Sequence, residues 1–185
     1  MHHAVVEMNH RGRTPGGAPM HIGTGMHTGS LMMGVIGDAK RLDGGLVADT
    51  VNTAARVEGL TKVFGAKVLL SETAYQQIAD PGRFRIRYLG PIQVKGRATP
   101  LGIYECLDAY EEPVAQRFAS LLPQFDEAMS LYLKGDFRFA AMTFADLVAK
   151  NPLDQAARRF EARSQHWLAQ GVPQGWNGVE EMTEK

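Results

Sequence analysis

Two side chains in the run 46–58 (LVADTVNTAARVE) have the types and the spacing to do chemistry. Asn52 and Arg56 lie four residues apart. The run reads as the start of a helix, and that spacing puts both side chains on one face. An amide beside a guanidinium suits a sugar next to a phosphate, since arginine brings a fork of donors and a permanent charge. On residue type alone the same pair reads more readily as a solvated helix face. Gly23 and Gly25 precede the run, but Thr28 stands where G-x-G-x-x-G requires glycine and no helix follows directly, which excludes a dinucleotide fingerprint. His21 and His27 read as structural residues with no ligand role, and His2 and His3 as solvated terminal side chains.

The elements around that helix follow from patterning. Residues 21–27 and 31–37 read as two strands joined by a turn at Thr28-Gly29-Ser30. Residues 38–45 read as a polar loop carrying the Gly44-Gly45 pair. The helix is expected over residues 48–64, with Val51, Ala55, Leu60 and Val63 as its apolar face and Gly65 as its stop. A short buried strand follows at 67–70, and Ser71 is placed to cap a further helix. Residues 84–89 alternate apolar and basic side chains as a half-exposed strand; Gly90-Pro91 then turns the chain into a strand at 92–94. Lys95-Gly96-Arg97 makes a tight connection to a last strand at 101–107. From Glu111 onward Phe118, Leu121, Leu122, Phe125, Met129, Tyr132 and Leu133 recur at helical spacing. Breaks at Gly135-Asp136 and Asn151-Pro152 divide this region into three helices. Phe137, Ala140, Phe144 and Pro152, with Ala128 and Gly135, resemble one tetratricopeptide unit. A lone repeat is expected to dock on the preceding domain or on a partner protein.

Bulk properties narrow the function classes. The chain has 185 residues, enough for a domain plus an extension. Its 20 basic and 20 acidic side chains give a formal net charge of zero, so no global pull toward nucleic acid or an anionic membrane follows. Cys106 is the only cysteine, which excludes an intrachain disulfide and a thiolate metal cluster. No stretch approaches the roughly 18–20 apolar residues that span a bilayer, and a cytoplasmic location is expected.

Four pieces of the chain together resemble class III adenylate and guanylate cyclases. They are Gly23-Thr24-Gly25-Met26-His27-Thr28-Gly29 with Gly34-Val35-Ile36-Gly37, Asp49-Thr50-Val51-Asn52-Thr53-Ala54-Ala55-Arg56-Val57-Glu58, Phe64-Gly65 with Val68-Leu69-Leu70-Ser71, and Leu89-Gly90 with Val94-Lys95-Gly96. Order and spacing match over roughly residues 20–107. The resemblance implies an α+β fold: a partial ferredoxin-like cyclase domain followed by an all-α TPR-like segment. It implies a remnant or linker of the domain at 1–19, its C-terminal part at 20–110, helices at 111–170 and a mostly irregular tail at 171–185 that carries Trp176. The tail's Trp176-Asn177-Gly178 is similar to that of bacterial cyclases with an appended helical segment.

The resemblance also assigns roles. Asn52 would orient the ribose, Arg56 would stabilise charge on the α-phosphate as the 3′-oxygen attacks, and Lys95 would hold the terminal phosphates. Gly45 falls where a purine-reading side chain is usual, and Ala48 where glycine is usual, so ATP and GTP both remain candidate substrates. The family uses Mg²⁺ or Mn²⁺ on two aspartates that precede the first motif; Asp38, Asp43 and Asp49 do not occupy those positions, and no metal ligand is assigned. The expectation is therefore the C-terminal part of a longer cyclase, inactive alone, that forms a homo- or heterodimer with a cyclase domain supplying those aspartates. The alternative is a non-catalytic, cyclase-like regulatory module with a protein-binding helical segment.

Overall fold

A computed structural model describes residues 1–12, 17–38, 41–47, 49–94 and 99–182, with the backbone alone for 32–38 and 41–47. In chain order the elements are α1 (His2–His10), β1 (Thr24–Met26), β2 (Met32–Asp38), β3 (Arg41–Val47), α2 (Asp49–Phe64), β4 (Val68–Ser71) and α3 (Glu72–Gln76). They continue with β5 (Ile86–Gln93), β6 (Leu101–Cys106), α4 (Glu112–Leu133), α5 (Phe137–Lys150), α6 (Gln155–Gln170) and β7 (Glu180–Glu181). Five strands form one sheet in the order β1-β4-β6-β5-β7. β4, β6 and β5 pair antiparallel, while β1 joins β4 and β7 joins β5 in parallel.

Three expectations about strands are corrected. β1 and β2 do not pair with each other: β1 runs beside β4, and β2 pairs with β3 from Met32↔Val47 to Asp38↔Arg41. The stretch read as a polar loop at 38–45 is largely β3. Its glycines lower strand propensity, but Gly34 faces Gly45 and Val35 faces Gly44 across the ribbon. Gly90-Pro91 does not turn the chain. β5 runs straight through it with a bulge, its register on β6 shifting between Tyr88 and Gly90, and Gly90 adopts φ +95°. A bulge is one of the few places in a paired strand where proline's missing N–H is tolerated.

α2 covers the sheet with Thr53, Val57, Leu60, Thr61 and Phe64 buried. This stripe is rotated from the expected one, since Val51 and Ala55 are exposed. Two threonines lie on the buried face, and Thr61 satisfies its hydroxyl locally by donating to the Glu58 carbonyl at 2.6 Å. A stripe drawn from apolar residues alone therefore falls on the wrong side. Gly65, at φ +63°, ends the helix as expected.

The helices after Glu111 share the sheet's core. Leu69, Leu89, Ile92 and Ile103 from the strands pack in one cluster with Val57 and Phe64 of α2 and with Phe125, Tyr132, Phe144 and Phe160 of α4–α6. Arg87, expected on a half-exposed face, is 4% exposed. Its guanidinium donates to both oxygens of Asp154 at 2.6 and 2.9 Å and to Glu105 at 2.8 Å. Asp154 also caps α6 by accepting from the Ala157 amide at 3.0 Å. Arg85 takes the outward position instead and pairs with Asp108 and Glu112. The tail, expected to be mostly irregular, returns to the sheet as β7 beside Ile92 and Gln93. On the way Trp176 donates to the Leu133 carbonyl at 3.2 Å, satisfying a terminal carbonyl of α4.

Candidate functional site

Three glycines set how closely β1 and its following loop lie on α2. A Cβ on Gly25 would overlap the Glu58 amide nitrogen and sit 2.6 Å from the Ala54 carbonyl oxygen. A Cβ on Gly23 would strike the Thr61 hydroxyl, and one on Gly29 would lie 2.7 Å from the Thr50 hydroxyl. Thr50 itself donates to the Ser30 carbonyl at 2.6 Å. The glycines therefore serve contact between a strand and a helix rather than phosphate cradling. Their signal in the sequence was their recurrence just before a helix rich in small and polar residues.

Held in that way, the first half of α2 presents Asn52 to solvent and keeps Arg56 half-buried. The pair sits one turn apart, as its spacing requires. Nη1 of Arg56 is buried and has no hydrogen-bond partner among the described residues. A buried donor without an acceptor is uncommon in folded proteins. A guanidinium held this way can take an anionic oxygen, and the neighbouring amide can hydrogen-bond a hydroxyl beside it.

Lys95 lies outside the described residues. Gly45 sits in β3 opposite Gly34, two residues before that strand ends and α2 follows. His27 is held by the Ser71 and Thr73 hydroxyls at 2.8 and 3.1 Å, which ties the end of β1 to the start of α3. Ser71 caps α3 by accepting from the Ala74 amide, as expected. A cleft of about 600 Å³ opens at the other end of α2, between it and α1, with His2, Asn9, His21, Thr61 and Lys67 on its walls. Burial, and then the charge of Lys67, lower the pKa of His2 there. The basic face of α6, with Arg158, Arg159, Arg163 and His166, drew no attention in the sequence, although its helical spacing was available as a signal.

Among the described residues no group of three or more His, Cys, Asp or Glu side chains converges to hold a metal ion. Among these residues, what α2 offers is charge and orientation. Among them, too, no helix is long and apolar enough to cross a membrane.

The family model described as "Adenylate and Guanylate cyclase catalytic domain" matches residues 1–106. The chain is 36% identical over 85 residues to an adenylate cyclase of Anabaena cylindrica, a match covering 45% of this chain and 17% of that protein. It is 39% identical over 103 residues to the guanylate cyclase soluble subunit beta-2 of Rattus norvegicus, covering 55% of this chain and 14% of that one. The chain thus spans less than a fifth of the length of these two relatives. Among solved structures, the adenylyl cyclase CyaB from P. aeruginosa aligns at 30% identity with a TM-score of 0.46, covering 57% of this chain and 51% of that one. With more than half of its residues matched by that family model, the chain belongs to the adenylate and guanylate cyclase catalytic domain family.

Proposed function

We propose that this domain, paired with a second cyclase domain, converts ATP or GTP to the 3′,5′-cyclic nucleotide and pyrophosphate, and that α2 supplies the ribose- and phosphate-facing half of the shared site. The 3′-oxygen forms a bond to the α-phosphorus, the bond from that phosphorus to the bridging oxygen of pyrophosphate breaks, and the hydroxyl proton is released. Arg56 stabilises the charge that develops on the α-phosphate, Asn52 orients the ribose, and Lys95 holds the terminal phosphates. Gly45 leaves the purine edge unread from its position, so both nucleotides are candidates. The second domain supplies the metal-binding aspartates. A TPR-like unit built from α4 and α5 is the surface for a protein partner, and the whole acts in the cytoplasm, where its substrates are.

The observation that carries this reading is the half-buried Arg56, whose Nη1 has no described partner and which sits one turn from an exposed amide. The test is turnover of ATP and of GTP with Mn²⁺, by the chain alone and by the chain mixed with a cyclase domain that keeps its aspartates but lacks its own arginine and asparagine. The chain alone is expected to be inactive and the mixture active. Arg56→Ala is expected to lower the mixture's rate by about 10²–10³-fold, the scale of losing one charge-stabilising donor. Turnover by the chain alone would sink the shared-site proposal. A heterodimer that forms but stays inactive would sink the role given to Arg56.

A further inference from the structure

The outer face of α6 carries Arg158, Arg159, Arg163 and His166, which line a groove of about 730 Å³ together with Pro152, Leu153 and neighbouring residues. The four side chains share one side of the helix because their spacing follows its turn. Their charges are not balanced alike. Arg163 pairs with Glu180 at 3.0 Å and stacks over Trp167. Arg158 donates to the neutral Pro152 carbonyl at 2.9 Å. Arg159 lies over the Phe64 ring, and its Nη2 reaches the Met182 sulfur at 3.5 Å, a weak acceptor. Its Nε is buried with no hydrogen-bond partner among the described residues. Two guanidinium groups thus share one groove with no carboxylate partner among the described residues, and one of them is short of acceptors.

We propose that this groove is a second anion site, taking a phosphate-bearing small molecule on the forks of Arg158 and Arg159. Guanidinium forks match phosphate oxygens in two-point contact. Two cations without a carboxylate partner among the described residues match a doubly charged phosphate, and Pro152, Leu153 and Ala162 give the remainder of the ligand an apolar wall. Neither Asn52 nor Arg56 lines the groove, so the site is separate from the one proposed on α2.

The experiment is calorimetric titration with pyrophosphate and, separately, with ATP, in an Arg56→Ala, Lys95→Ala background that removes the α2 site as an explanation. One binding event is expected, weakening as salt rises and weakened at least tenfold by Arg158→Gln or Arg159→Gln. Arg158 is exposed, so Arg158→Gln carries the test should Arg159→Gln fail to fold without its stack on Phe64; circular dichroism reports which variants fold. ATP binding tighter than pyrophosphate assigns the apolar wall to the organic part of the ligand, and equal affinity assigns the site to the phosphate alone. Absence of binding in that background, or unchanged affinity in folded Arg158→Gln, overturns the proposal. Capture of an acidic peptide with no response to either phosphate also overturns it, in favour of a protein partner.

Discussion

Two arginines on two elements differ in how their guanidinium groups are met. Arg87 is buried, but two carboxylates accept from it and Phe125 lies under its guanidinium at 4.2 Å. Arg56 is less buried and yet leaves Nη1 unpartnered among the described residues. Removing the first should therefore harm the fold, and removing the second should not. Arg87→Met strands Glu105 and Asp154 as buried charges, which costs about 3–5 kcal/mol; denaturant unfolding is expected to show that loss. Adding Glu105→Gln and Asp154→Asn should recover most of it, since asparagine can still cap α6. Arg56→Ala is expected to leave the melting temperature unchanged or slightly raised, with loss confined to turnover in the mixed assay. A lowered melting temperature would mean that Arg56 is structural. The contrast also explains what could be read beforehand. That Asn52 and Arg56 share one turn of a helix was legible because helical spacing is local. The inward turn of Arg87, rather than Arg85, depends on Asp154, 67 residues away, and no pattern within 84–89 carries that.

At the scale of elements, the existence of α2 and its stop at Gly65 came through, whereas which strand neighbours which did not. The partner of β1 is β4, far along the chain, and pairing depends on tertiary packing that a run of three residues cannot encode. β3 was hidden by its glycines and β7 by its length of two residues. The glycines of α2 and β1 offer a paired test of this packing. Gly25 meets helix backbone, which cannot yield as a side chain can, so Gly25→Ala is expected to destabilise the domain by at least the ~1–3 kcal/mol typical of overpacking. Gly59 lies within α2 with nothing within 4 Å of an added Cβ, and there alanine should stabilise by up to ~1 kcal/mol through helix propensity. Thermal melts of the two variants check both signs. Equal effects would mean that β1 does not lie on α2 as closely as Gly25 implies.

Over the whole molecule, sheet and helical segment are joined through tyrosines as well as through aliphatic side chains. Tyr110 of the strand-to-helix connection donates to Glu105 at 2.8 Å, and Tyr132 of α4 donates to Glu180 in the returning tail. The periodicity of α4 predicted Tyr132 as a core residue, but its partner in the tail lay outside any periodic pattern. Both phenols have raised pKa values, by burial first and then by the adjacent carboxylate. Burial and the neighbouring Tyr104 push Tyr88 up to about 12, and burial with Glu72 raises Tyr104. The native state therefore holds these protons where an unfolded chain, titrating near 10, releases them. Their contribution to stability is complete below pH ~10 and is lost as pH rises through the native values. Alkaline titration followed by phenolate absorbance should thus lag the unfolded chain above pH ~10 and then rise together with loss of the helical dichroism. Tyr132→Phe removes one coupled phenol and leaves Glu180 to Arg163, so its alkaline transition should move to higher pH. A transition that stays in place, with the variant folded, would show that Tyr132 ionisation does not drive the unfolding.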